Sequence, residues 1–532
     1  MNKFLLKGVA AMLCMATVFG NVACSDDGED PAKVGVTAVA LDKTTLSLKL
    51  EATAKLVATI TPSEATTKAV TWTSSDDKVA TVSDGTVTAV ALGTATITVK
   101  TDDGGKTATC AVTVAEDAPD SRDVILKDSI TSDMTLRAID NNLLKGYVFV
   151  KSGVTLTIEP GTVIKGEKVT KGSLIVVPGG KIIAEGTAEK PIVFTSNQPV
   201  GSRAYGDWGG LILCGNAPVN ANKPVIEGGP GTIYGGNDPE DNSGIVKYVR
   251  IEFAGYPLEP NKEINGLTCG GVGSGTTLEY IQVSYCGDDS FEWFGGTVNA
   301  KKLIAYKGWD DEFDTDYGYK GKLQFLLGIR DPKHADTSKS NGFESDNDAK
   351  GSGDEPITNP IFSNVTLIGP FYGESAGKAE SEILYTTEDA ANGAKGGQFQ
   401  AAMHIRRNSA LNVYNSVFTG WPYGLYLQGA NAGATVKNVI FAGMWENFKD
   451  DASKGYFETT GLNNQVYASS NDLIAKNADY SSVVVDKIGG AEFSDTVLSD
   501  SFFEKVTYKG AFDGTNDWTS GWSNLDPQNT AY

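Results

Sequence analysis

Histidine is almost missing from this 532-residue chain, which has only His334 and His404. Two histidines so far apart exclude an HExxH zinc site, which needs both on one helix face. Cysteine is scarce as well, six in all. Two of the six fall at or before Cys24, Cys110 sits in a separate module, and Cys214, Cys269 and Cys286 leave an odd number. No disulfide framework is expected, and no CxxC metal pair occurs. Positive charge is short too: 45 Lys and Arg stand against 66 Asp and Glu, a net charge of -21. Phosphate backbones require clustered Lys and Arg, so nucleic acid is excluded as a partner. The same balance suits solubility and the binding of cations. The run Gly270-Gly271-Val272-Gly273-Ser274-Gly275 lacks GK[ST] and the spacing of a nucleophile elbow, and reads as a corner loop.

The chain begins with the features of a secretory leader: Lys3 and Lys7, an apolar run from Gly8 to Phe19, then small residues before Cys24. Asn21-Val22-Ala23-Cys24 resembles a bacterial lipobox, with Asn21 where an apolar residue is usual. The resemblance implies cleavage before Cys24 and lipidation there. Two or more acyl chains would hold stably, at ~0.8 kcal/mol per buried methylene. By composition, residues 25–34 are a solvated acidic linker. Ser25-Asp26-Asp27-Gly28-Glu29-Asp30 also resembles the acidic export signal of Bacteroidota lipoproteins. That implies an outer-membrane, surface-exposed address.

Residues 35–116 are rich in Thr, Val and Ala with period-two alternation, broken at Pro62, Asp84-Gly85 and Gly93. Six or seven short strands of this kind predict a small β-sandwich. Val70-Thr71-Trp72-Thr73-Ser74-Ser75-Asp76, followed by Val79-Ala80-Thr81-Val82 and Gly85-Thr86-Val87, closely resembles the group 2 bacterial Ig-like domain. Trp72 alternates with Val70 and is expected in its core, and the module is read as a stalk.

Residues 117–532 read differently. Short apolar strands such as GSLIVVPGG, GGLILCGN and TTLEYIQVSYCG recur between Gly, Asn and Asp, with no sustained helical period. Such a chain predicts an all-β parallel solenoid with coils of about 20–25 residues, apolar side chains stacked inward and left-handed-tolerant residues at the corners. The stretch NNLLKGYVFVKSGVTLTIEPGTVIKG resembles the first coils of right-handed parallel β-helix proteins. GDWGGLILCGNAPV at 206–219, YGGNDPEDNSGIVKYVRIEFAG at 234–255 and GAFDGTNDWTSGWSNLDP at 510–527 resemble Bacteroidota surface lipoproteins of unassigned activity.

Chemistry concentrates in GDDSFEWFGG at 287–296, GWDDEFDTDYG at 308–318 and NGFESDNDAKG at 341–351. The pairs Asp288-Asp289 and Asp310-Asp311 are 22 residues apart, one coil, which stacks them ~5 Å apart. Carboxylates that close need a counter-charge or protons held at raised pKa. Asp310, Asp311, Asp314, Asp316, Asp346 and Asp348 form the candidate cation set, with calcium as the natural ion because it takes six to eight oxygen ligands. The EF-hand spacing is absent. GDD at 287–289 resembles the GDD of β-helix polysaccharide hydrolases, which implies acid–base roles for Asp288, Asp289, Asp310 and Asp311. That family's Gly-His-Gly and Arg-Ile-Lys are missing. Arg330, Arg406 and Arg407 are candidate lyase bases, with Lys320 and Lys322 close in sequence. Phe291 and Phe313, each two residues past an Asp pair, are expected inside. Trp293, Trp309 and Tyr317 are the candidate sugar-stacking residues. His404 and Arg406 should share one exposed strand face. The function expected is binding of an extracellular glycan, accessory to an outer-membrane uptake system. The alternatives are a β-helix hydrolase or lyase, or an adhesin.

Overall fold

The computed structural model describes residues 33–115, 121–259, 262–371, 378–386, 396–470 and 488–532. Cys24 and the acidic segment after it lie outside them. The chain divides into two compact units, Met1–Pro119 and Asp120–Tyr532.

The first unit is a small β-sandwich. A four-stranded sheet of Thr45–Lys49, Thr107–Ala115, Gly93–Thr101 and Val70–Ser74 faces a three-stranded sheet of Thr53–Lys55, Thr86–Ala89 and Ala80–Ser83. Leu48, Leu56, Val87, Ile97, Cys110 and Val112 fill the space between, and Trp72 packs against them. Gly85 cannot be replaced without strain. Its φ is +75°, and a Cβ there would meet the Leu56 carbonyl oxygen at 2.5 Å and the Trp72 ring at 2.9 Å.

The second unit is a parallel β-solenoid in which 26 strands, from Asp123–Ile130 to Gln465–Tyr467, pair only in parallel. Alternation sets its inside. On the face that carries the acidic blocks, Leu174, Leu211, Leu267, Phe291, Phe313, Phe343 and Met403 stack coil on coil inward. Phe291 and Phe313 are fully buried with ring centroids 5.6 Å apart, so the 22-residue repeat is one coil.

The corners depart from expectation. One row of left-handed corners consists of Tyr248, Tyr280, Lys302, Phe325, Asn364, Asn415 and Asn438, all with φ between 50° and 62°. Only three of these are Asn, although left-handed backbone costs other L-residues ~1–2 kcal/mol. Side-chain packing offsets the cost. Tyr248 stacks on Tyr280 at 4.3 Å, and Lys302 lies over the Tyr280 ring at 4.4 Å.

A second element has no sequence signal. Residues 488–532 return along the outside of the solenoid. Backbone groups of Gly490, Glu492, Glu504, Tyr508 and Asn524 pair with the carboxamides of Asn438, Asn415, Gln324, Asn364 and Gln282. A Gln or Asn side chain carries an NH2 donor and a carbonyl acceptor side by side, as a strand edge does with its peptide groups, so these rows act as a strand edge. Phe512, Trp518 and Trp522 of this strap cover the outward-facing Ile304, Leu327 and Ile329.

Candidate functional site

The outward stack on the acidic face runs Ile175, Ile212, Thr268, Glu292, Asp314, Glu344, His404 and Tyr426, each paired with the next in parallel register. Its apolar beginning is covered by Ile226 and Tyr234 from a long loop. From Glu292 to Glu344 the stack is acidic and forms a ledge, which His404 and Tyr426 continue.

The Asp pairs take two directions. Asp289 Oδ1 accepts the backbone N–H of Asp311 at 2.7 Å, Asp311 Oδ1 accepts that of Asn341, and Asn341 Oδ1 accepts that of Ala401 at 3.2 Å. This ladder ties four coils together, and Asn341 occupies the rung where a third Asp would stand. Asp288 and Asp310, one residue earlier, are half-buried at the rim.

Three carboxylate groups have ligand atoms within 4.8 Å of one another: Asp288, Asp289 and Asp310; Asp289, Glu292 and Asp314; Asp311, Asp314 and Glu344. Two unit charges at such a distance repel by roughly 3 kcal/mol at an effective dielectric of ~20. Three pairs in one group would then rival the ~5–15 kcal/mol that holds a whole domain together. Protons or cations must therefore relieve it. Burial, followed by the charges of Asp288 and Asp311, raises the Asp289 carboxyl well above its usual range. Burial and Asp310 do the same to Asp311, burial and Glu344 to Asp314, and burial and Glu227 to Glu292. Burial and Asp336 push Asp310 up to about 7, and burial and Asp346 push Asp316 to about 8.

The donor set fits a hard cation. Every group member is a carboxylate, and neither His nor Cys joins any group among the described residues. An oxygen-only set suits calcium or magnesium rather than zinc. Calcium's flexible geometry accepts carboxylates drawn from different coils more readily than the near-ideal octahedron that magnesium demands.

Of the six residues expected to hold a cation, Asp310, Asp311 and Asp314 fall in these groups; Asp316, Asp346 and Asp348 do not. Asp316 turns back on the Tyr317 N–H at 2.6 Å. Asp346 is taken by Arg406 at 2.9 Å and Arg407 at 3.0 Å. Asp348 builds a turn with the N–H groups of Lys350 and Ser352, at 2.7 and 3.2 Å.

The aromatic expectations need correction. Trp293 is 1% exposed, in the inward stack between Cys269 and Thr315, with its ring stacked on Tyr319 at 5.5 Å. It shares strand parity with Phe291 and so must share its side of the sheet. Trp309 is 3% exposed; its Nε1 donates to the Ala335 carbonyl at 2.9 Å and its ring packs against Tyr205 and His334. Tyr317 is half-buried beside Phe294 and Asp316, at the edge of the ledge.

The basic residues also move. Arg330 is enclosed, paired with Glu312 and donating to the carbonyls of Gly308, Trp309 and Asn341 at 3.0–3.1 Å, so it cannot reach a ligand. Lys322 pairs with Asp500, and Lys320 is exposed. His404 and Arg406 do share a face, but His404 is 2% exposed rather than open. His404 stacks flat on Tyr426 at 4.6 Å, with Nε2 3.0 Å from Gln428 Oε1 and Nδ1 3.3 Å from Glu344. Arg406 joins Glu344 to Asp346. Sequence reasoning did not place His404 or Tyr426 in the stack of Asp314 and Glu344, because the coil separating Phe343 from Met403 is 60 residues long. A cleft of about 480 Å³ lined by Ile125, Ile139, Lys165 and Tyr532 lies at the first coils and contains none of the carboxylate groups.

Residues 35–112 match the bacterial Ig-like domain (group 2), and residues 128–523 match the pectate-lyase-like β-helix domain. Shorter similarities reach single proteins. An α-L-arabinofuranosidase of Bifidobacterium longum subsp. longum is 47% identical over 85 residues, 16% of this chain and 8% of that protein. A lacto-N-biosidase of Bifidobacterium bifidum is 48% identical over 93 residues, 17% of this chain and 8% of that protein. An Ig-like virion protein of Serratia phage KSP90 is 45% identical over 86 residues, 16% of this chain and 33% of that protein. The matched stretches thus span a third or less of these relatives, and they are about as long as the Ig-like module. The chain belongs to the pectate-lyase-like β-helix domain family, with a group 2 bacterial Ig-like domain ahead of the solenoid.

Proposed function

We propose that the solenoid binds an extracellular glycan along the acidic ledge, with a calcium-type cation neutralising part of it. The supporting observation is the row of three carboxylate groups bordered by Tyr317 and by the His404–Tyr426 stack. Carboxylates accept from sugar hydroxyls, and the flat faces of tyrosine rings suit the apolar faces of sugar rings. Tyr317 keeps the stacking role expected of it, and Tyr426 takes the one expected of Trp293 and Trp309. Two proteins that share short similar stretches with this chain are named an α-L-arabinofuranosidase and a lacto-N-biosidase, names that refer to glycans, and this supports the reading. Affinity electrophoresis of the mature chain through gels of different polysaccharides tests the reading. Retention on at least one is expected, and mobility unchanged in all of them would refute it.

In the same proposal Cys24 carries the lipid, the Ig-like module is a stalk, and an outer-membrane transporter receives the glycan. Loss of lipid labelling in Cys24→Ser, and protease sensitivity of the chain on intact cells, test the address.

A second reading, a polysaccharide hydrolase or lyase, is favoured by one observation. Asp310 and Asp316 are pushed to about 7 and about 8, first by burial, and so hold protons to donate near neutral pH. Assays for new reducing ends and for unsaturated uronate products separate this reading from binding alone.

A further inference from the structure

The three carboxylate groups are not independent. They comprise seven residues, because Asp289 and Asp314 each belong to two groups. The sharing follows from the fold. Coils repeat at ~4.8 Å, and a calcium ion reaches ligands ~2.3–2.6 Å away on every side. Asp314 therefore lies within reach of cations held beside either neighbouring coil, with Glu292 on one side and Glu344 on the other, whereas Asp289 is shared along the strand, between two groups that both span its own coil and the next. Each carboxylate oxygen carries two lone pairs, so Asp314 can offer an oxygen to each cation, and Asp289 can do the same while its Oδ1 also accepts the Asp311 N–H.

A second observation points the same way. Among the described residues, Asp310 Oδ1, Asp314 Oδ1 and Asn265 Oδ1 are buried acceptors with no hydrogen-bond partner. Asn265 is 1% exposed, and its Nδ2 donates to Glu292, which sets its carboxamide against the middle group. Asp310 belongs to the first group, and Asp314 to the second and third. Every group thus contains or borders an oxygen that lacks a donor. Unmet acceptors in an acidic enclosure call for cations, and Arg406 is already committed to Glu344 and Asp346. One divalent cation would leave five of the seven charges to be met by protons.

We propose that the ledge binds two or more calcium-type cations side by side between adjacent coils, with Asp289 and Asp314 as bridging carboxylates. Asn265 supplies a neutral oxygen to the middle position. This rests on the reading of the ledge as cation-binding and fixes its stoichiometry and its shared ligands.

The test is a calcium count by equilibrium dialysis and calorimetry on the full chain after chelation. Two or more equivalents per chain are expected. Glu344→Gln and Asp288→Asn change unshared ligands, and each should remove one equivalent. Asp289→Asn and Asp314→Asn change bridging ligands, and each should remove more than one. Asp289→Asn keeps the acceptor that Asp311 needs, so its fold, checked by circular dichroism, should persist if that of Asp314→Asn does not. A single equivalent in the unaltered chain, or equal losses from shared and unshared variants, overturns the bridged arrangement. No binding at all overturns the cation reading as well, whereas gel retention in the presence of chelator would leave the glycan reading in place.

Discussion

Asp289 Oδ1 holds the backbone N–H of Asp311 at 2.7 Å, one coil further along the solenoid. The bond makes a buried acceptor structurally necessary at this rung, whatever the ledge binds. It also separates two roles that a pair of aspartates merges in sequence: Asp289 and Asp311 tie coils together, while Asp288 and Asp310 face the rim.

Asp289→Ala should therefore destabilise the chain by about 1–3 kcal/mol, because it leaves a buried N–H without a partner. Asp289→Asn keeps the acceptor and removes a buried charge, so the chelated variant should equal or exceed the unaltered chain. Urea unfolding of the two variants measures the difference.

The ledge also sets a pH dependence. Asp310 and Asp316 titrate at about 7 and about 8 in the folded chain, against ~4 for an unfolded carboxylate. Between those limits the folded state binds more protons than the unfolded one. Stability of the chelated chain should then fall as pH rises from about 4 to about 8. Calcium should raise the Tm more at the upper end of that range than at the lower, since protons no longer compete. Thermal scans with and without chelator check both signs.

Inner and outer aromatics should respond in opposite ways. Trp293→Ala opens a cavity in the inward stack and should cost about 3–5 kcal/mol. Tyr317→Ala and Tyr426→Ala should change stability by far less and reduce retention on glycan gels.

The strap predicts a local effect. Gln324 Nε2 donates to the Glu504 carbonyl and its Oε1 accepts the Glu504 N–H, both at 2.8 Å. Gln324→Leu removes both bonds and should speed amide exchange around Glu504, with little change in the ledge strands. Hydrogen exchange read by mass spectrometry resolves the two regions.

Much of the architecture was legible because a solenoid writes its register into residue spacing. The 22-residue step between the Asp pairs placed Phe291 on Phe313, and alternation sent both inward. The same rule, applied to Trp293, would have sent it inward too, since it is two residues from Phe291. Its indole was read by chemistry when parity should have decided. Trp309 was harder, because Tyr205 and His334 cover it from distant loops. His404 and Tyr426 were unreadable as neighbours of Asp314, since long insertions break the spacing between their coils. The strap left no periodic signal, because its partners are carboxamides scattered from Gln282 to Asn438.

The most direct measurement is affinity electrophoresis of the mature chain against a panel of polysaccharides, run beside Tyr426→Ala and Glu344→Gln with calcium present. Retention of the unaltered chain on at least one glycan, weakened in both variants while circular dichroism shows both to be folded, is the predicted result. Retention on none, or retention that neither variant alters, would contradict a glycan site on the acidic ledge.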